Sequence, residues 1–184
     1  MVASVQTDGI NRAATFDHTR CYRYSLVRAW DAIAAQSSEW PQNSKWLVFI
    51  MLNPSTADHR MEDPTIRRCI GFAQRWGYTQ LEVVNLFGWR TPKPTDLHQA
   101  SDPIGPENDA YLLTAARRAG QIILAWGNGG QLLGRDRAAY QLLSPYLSKC
   151  YCLGWTQQRQ PRHPLYLKRT VAQQPVLPNL LSAR

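Results

Sequence analysis

The sequence predicts a single α/β domain, on three observations. The chain has 184 residues, 44% of them hydrophobic and 10% aromatic, which suits one domain with its own core. Four short apolar, β-rich runs stand out, three of them almost continuously hydrophobic, as strands buried on both faces of a parallel sheet are. Segments carrying helix-boundary signals separate those runs.

Residues 1–20 read as a loosely ordered leader, so the domain is expected to span residues 21–184. The leader lacks the basic-then-apolar order of a secretory signal. No apolar run approaches the ~20 residues of a membrane span, and a cytoplasmic protein without membrane contact is expected. Residues 21–30 alternate loosely and suit an antiparallel strand added at an edge of the sheet; a helix running through Ala32–Ala35 is the alternative. Trp46–Leu52 (WLVFIML) is the first buried strand. Asp63-Pro64 combines an N-cap with proline at the first helical position, opening a helix to about Trp76. Leu81–Leu86 (LEVVNL) is the second strand. Pro106 opens the next helix, with Glu107 and Asp109 in its first turn, Arg117 and Arg118 in its last and Gly120 beyond, a charge order that suits the helix dipole. Gln121–Trp126 (QIILAW) is the third strand, Asp136–Leu147 a helix with a kink at Pro145, and Lys149–Leu153 (KCYCL) the fourth strand. Prolines at 161, 164, 175 and 178 make the remainder irregular. The order β-α-β-α-β-α-β calls for right-handed crossovers.

The net charge of +8 is unevenly placed. Residues 1–109 carry 11 Lys/Arg and 12 Asp/Glu, whereas residues 110–184 carry 10 Lys/Arg against the single Asp136. A basic surface of that kind attracts phosphate backbones; a solvated face that serves solubility is the plainer reading. Cys21, Cys69, Cys150 and Cys152 form no C-x-x-C pair, so reduced, mostly buried thiols are expected, with no metal and no cofactor. The chain has no G-x-S-x-G elbow, P-loop, G-x-G-x-x-G or H-E-x-x-H, which argues against the hydrolase, nucleotide and zinc-protease classes those motifs mark.

In a parallel sheet, ligands bind beyond the carboxyl ends of the strands. Asn53-Pro54-Ser55-Thr56 follows the first strand, and Asn53 can bind a carbonyl, orient a water, or close an Asx turn. Ser55 and Thr56 can hold a phosphate or merely shape the loop. Asp58 is the one carboxylate there placed to act as a general base. Asn85 ends the second strand, where it can read a pyrimidine edge or brace the next loop. Phe87, Trp89 and Trp126 offer surfaces for a base to stack on, although some must be core. Arg90 and the glycine-rich run that starts at Gly127 are further phosphate candidates. His163, in the basic segment RHPLY, can stabilise a developing anion or sit on the surface.

These motifs carry a resemblance at two levels. The run LNPSTAD, EDPTIRRC, NLFGWRTPKPTDL, PIGPENDAYL, ILAWGNGG and HPLYL resembles an uncharacterised bacterial and phage family known as a domain of unknown function, over roughly residues 20–170. More distantly, LNPS, NLFGWRTP, ILAWG and His163-Pro164 resemble, in that order, the motifs of the uracil-DNA glycosylase superfamily. That second resemblance implies a three-layer α/β/α fold with a four-stranded parallel sheet in the order 2-1-3-4. It implies that Asn53 aligns the attacking water, Asn85 helps hold the base and His163 stabilises the leaving pyrimidine. It further implies a flipped nucleotide whose backbone Arg162, Lys168 and Arg169 hold.

The expected function is therefore hydrolysis of the N-glycosidic bond of a base, modified or not, in DNA or a related nucleotide. A non-catalytic nucleic-acid-binding module and a small-molecule or nucleotide enzyme with an incidental basic surface are the alternatives.

Overall fold

Eight strands make one mixed sheet in the structure, a computed structural model that describes residues 1–7, 9–30 and 46–177. The strands are β1 (Val2–Thr7), β2 (Ile10–Phe16), β3 (Arg23–Ala29), β4 (Trp46–Met51), β5 (Gln80–Asn85), β6 (Gln121–Leu124), β7 (Cys150–Cys152) and β8 (Gln174–Pro175). Their spatial order is β1-β2-β3-β5-β4-β6-β7-β8. The pairings β4–β5, β4–β6 and β6–β7 are parallel, and the other four are antiparallel.

This corrects the expected fold class. A four-stranded parallel sheet of the uracil-DNA glycosylase type does not describe an eight-stranded sheet with four antiparallel pairings out of seven. The expected loose leader is corrected as well: β1 and β2 form a hairpin that turns through Gly9 at φ 73° and continues the sheet. Both strands were hard to read because the hairpin is half solvated. Only Ala14 and Phe16 of β2 are buried, so polar residues alternate through it. β3 pairs antiparallel with β5, but β2 covers its other side, so it lies inside the sheet and not at an edge. The alternative helix through residues 32–35 lies outside the described residues.

Among the described residues three α-helices cover the two faces: α1 (Pro64–Arg75), α2 (Asn108–Arg118) and α3 (Arg135–Leu142). Residues alternate sides along a strand, so the unbroken hydrophobic run of β4 serves two cores. Leu47, Phe49 and Met51 meet Ile66, Cys69 and Phe72 of α1, while Val48 and Ile50 meet Leu112, Ala115 and Ala116 of α2 and Ala139 of α3. Each such Leu, Ile or Phe removed from water contributes about 1.5–3 kcal/mol.

The helix ends follow their local chemistry. Asp63 accepts the Ile66 N–H at 2.8 Å and Pro64 takes the first helical position, as the sequence predicts. α2 begins two residues after Pro106, because Asn108 Nδ2 donates to the carbonyls of Asn85 (3.0 Å) and Leu86 (2.9 Å) and pins the helix start to the end of β5. α3 stops at Leu142, and Pro145 lies in a short 3₁₀ turn, Ser144–Lys149. A buried polar tie joins β3, β5 and α2: Arg118 meets both oxygens of Glu82, at 2.5 and 2.9 Å, and Ser25 Oγ donates to Glu82 at 2.6 Å. Among the described residues no helix is long and apolar enough to cross a membrane.

Candidate active site

Beyond the carboxyl ends of β4 and β6 lies a cavity of about 390 Å³. Six parts of the chain wall it: Arg23 from β3, Asn53 and Ser55 after β4, Asp63 and Thr65 at the start of α1, Pro92 and Pro94 after β5, Trp126 after β6, and a late strap bearing His163, Leu165 and Tyr166.

Asn53 spends both amide hydrogens on backbone, donating to the carbonyls of Pro54 (3.0 Å) and Thr91 (2.9 Å). Among the described residues its Oδ1 makes no hydrogen bond, and it is left as an acceptor on the cavity wall. His163 Nδ1 accepts a long hydrogen bond, 3.4 Å, from the Leu165 N–H. In the neutral ring that leaves the proton on Nε2, a donor. Burial favours this neutral form by lowering the His163 pKa below 6.5, with Asp63 opposing the shift. Asp63 is therefore more than a helix cap. One oxygen holds the Ile66 N–H while the residue lines the cavity beside His163.

Arg23 is 2% exposed, and its guanidinium donates to the Ala57 carbonyl at 2.5 Å, while Nε has no partner among the described residues. Burial lowers its pKa to about 9, with Asp63 opposing, so it is a cation at neutral pH. A buried cation in a cavity wall draws negative charge or carbonyl oxygen towards it.

The strap is held by the exit of β6. Trp126 Nε1 donates to Gln160 Oε1 (2.8 Å), and Gln160 Nε2 donates on to Asp136 (2.8 Å). The Gly127 N–H reaches the Pro161 carbonyl at 2.8 Å. Trp126 is 2% exposed and packs edge-on against Tyr140, so it is both core and cavity wall.

Asn53, Ser55, Trp126 and His163 are thus brought together, and the other expected residues are not. Asn85 is fully buried and paired in register with the wall residue Met51, and neither atom of its amide has a partner among the described residues. It does not line the cavity. Phe87 is core, and Trp89 packs edge-on against Tyr22. Arg90 lies over the Phe16 ring at 4.9 Å and bonds the Arg20 carbonyl, which ties down the N-terminal hairpin. Thr56 is exposed outside the cavity. Gly127 holds the strap through its N–H. Asp58 closes its own loop, accepting the N–H groups of Arg60 (2.7 Å) and Met61 (2.8 Å). Burial would raise its pKa, but those bonds outweigh it and lower the pKa, which makes Asp58 a weak base. Arg162 and Lys168 are exposed and line no part of the cavity. Arg169 lines a second, basic groove along α1.

Sequence reasoning missed Arg23, Asp63 and Thr65 as wall residues. Asp63 carried a visible signal, since a helix that starts just after a strand exit points its cap at the ligand position. Arg23 carried none. Among the described residues no group of three or more His, Cys, Asp or Glu side chains gathers to hold a metal ion.

A family model described as a protein of unknown function (DUF1643) matches residues 23–165. No curated protein and no solved structure matches the chain.

Proposed function

The chain belongs to the DUF1643 family, described as of unknown function, and we propose that its cavity binds a nucleobase and hydrolyses the N-glycosidic bond that carries it. The observation that supports this reading most is the pairing of Asn53 and His163 on one cavity of about 390 Å³. One brings an acceptor without a partner, the other a neutral imidazole whose remaining nitrogen is a donor. Small-molecule sites run from about 300 to 1,000 Å³, so the space suits a base with its sugar.

The chemistry follows from those groups. As the C1′–N bond breaks, its electron pair passes to the base, and His163 Nε2–H donates a hydrogen bond to the anion that forms. Water attacks C1′, with its hydrogens directed by Asn53 Oδ1 and the Asp63 carboxylate, and Asp63 takes the proton released. Arg23 supplies fixed positive charge for a carbonyl or phosphate oxygen. Donors aimed at developing charge are worth about 10²–10³ in rate each, so His163→Ala should slow base release by about that factor.

Incubation with a panel of base-modified single-stranded oligonucleotides, duplexes and nucleosides tests the proposal, with abasic sites revealed by alkaline cleavage. Release that falls at least ~100-fold in folded His163→Ala supports it. Absence of release from every substrate the protein binds would sink it. A second reading, a binding module without chemistry, draws on the use of both Asn53 amide hydrogens for loop closure. It expects binding that falls with salt and is indifferent to His163.

A further inference from the structure

We propose that the substrate is a single nucleic-acid strand, laid along α1 and turned into the cavity at Tyr166. This rests on the glycosylase reading and names its substrate class. The groove beside α1 holds about 640 Å³ and is lined by Arg67, Arg68, Arg75 and Arg169, with Phe72 and Leu165 among its apolar walls and no carboxylate. None of the four arginines pairs with a carboxylate among the described residues. Four uncompensated guanidiniums exceed what one phosphate of a free nucleotide needs and suit a run of backbone phosphates.

The helix shapes this groove. Residues four apart on a helix stack in a row, so Arg67, Gly71 and Arg75 follow one another along α1. A side chain at Gly71 would meet nothing within 4 Å, so the row has an open trough at its middle with a cation at each end. There a phosphate can approach the helix surface with both arginines in reach.

Groove and cavity adjoin. Leu165 lines both, and Pro64 of the groove precedes Thr65 of the cavity. At the cavity mouth Tyr166 is 86% exposed, an unusual setting for a tyrosine ring. An exposed ring beside a basic track is how proteins stack the bases of single strands. Paired bases in a duplex present no free face to it.

Fluorescence anisotropy with a labelled single-stranded 15-mer, the matching duplex and a mononucleotide competitor, over a salt series, is the test. Three or four phosphate contacts predict a log–log salt slope of roughly −2 to −3 for the single strand. Arg67→Gln with Arg75→Gln should remove roughly 1.4 from that slope. Tyr166→Ala should weaken strand binding about ten-fold. Gly71→Leu is the sharpest probe, because it fills the trough without altering charge, and replacing a helical glycine favours the helix. It should weaken binding at least about five-fold while circular dichroism and Tm show a folded protein. Unchanged strand affinity in Gly71→Leu and the double arginine variant, or a duplex bound as tightly as the strand, overturns the proposal. Strand binding that these variants weaken, without base release, removes the glycosylase reading and leaves the track standing. Base release from free nucleosides that is indifferent to Gly71→Leu, without strand binding, removes the track and leaves the glycosylase reading.

Discussion

Asn53 and Thr91 are joined across two loops: the Asn53 amide donates to the Thr91 carbonyl at 2.9 Å. The Thr91 N–H returns to the Pro54 carbonyl at 3.0 Å. The exits of β4 and β5 are therefore closed by one reciprocal tie, and the cavity wall is as firm as that tie.

Asn53→Ala removes two hydrogen bonds, each contributing about 0.5–1.5 kcal/mol net. For a chain of this size the Tm should fall by roughly 2–4 °C per kcal/mol. Asn53→Asp should be worse, since it sets a carboxylate oxygen against two carbonyls. Thermal melts of the three proteins decide the point, and an Asp variant as stable as the parent would contradict the tie.

The burial of His163, opposed by the charge of Asp63, predicts a pH response. Burial sets the folded His163 pKa below 6.5, so between that value and 6.5 the unfolded chain binds more protons. Stability present above pH 6.5 is then lost as pH falls through the folded pKa. His163→Gln should flatten Tm against pH in that window. Asp63→Asn keeps an N-cap acceptor but removes the opposing charge, so His163 should titrate lower still, as read by NMR. Asp63→Ala also loses the cap, at a cost of about 1 kcal/mol.

Glu82 is a buried carboxylate satisfied by Arg118 and Ser25. Removing Arg118 strands that charge, an effect of about 3–5 kcal/mol. Denaturant titration of Arg118→Ala should show it, while Ser25→Ala should cost less, about 1–3 kcal/mol.

Asn85 gives the opposite sign. A buried amide without partners is destabilising by about 1–3 kcal/mol, and a strand position suits valine. Asn85→Val should therefore hold or raise the Tm; a drop of several degrees would mean that the amide is satisfied in solution.

How far the sequence could be read follows from what each residue faces. Trp46–Met51 and its parallel neighbours announced themselves because burial on both sides leaves an unbroken apolar run. The Asp63-Pro64 start of α1 was legible because capping chemistry is local. The hairpin β1–β2 was not, because half-solvated strands carry polar residues, and its absence from the reading is what made a small parallel sheet look sufficient. Within the site, Asn53 and His163 were reachable as polar residues at strand exits. Asn85 reads as a site residue from sequence because strand position does not say whether a side chain lines a cavity or is buried beside it. Arg23 was beyond reach for a related reason. Simple alternation would set it on the Ser25 side, towards Glu82, but the β2–β3 pairing slips between Thr15 and Phe16, and Arg23 meets Ala57.

The two margins of the sheet differ in what they permit. β8 ends the sheet in Pro175, which lacks the N–H that a further strand would need. β1 is six residues long, uncharged and free of proline, and among the described residues no strand pairs with its outer side. Among the described residues, lateral joining of copies through main-chain pairing is therefore left to Val2–Thr7, and because each copy brings one such edge, two edges pair with each other and close a dimer with no second edge from which a fibre could grow.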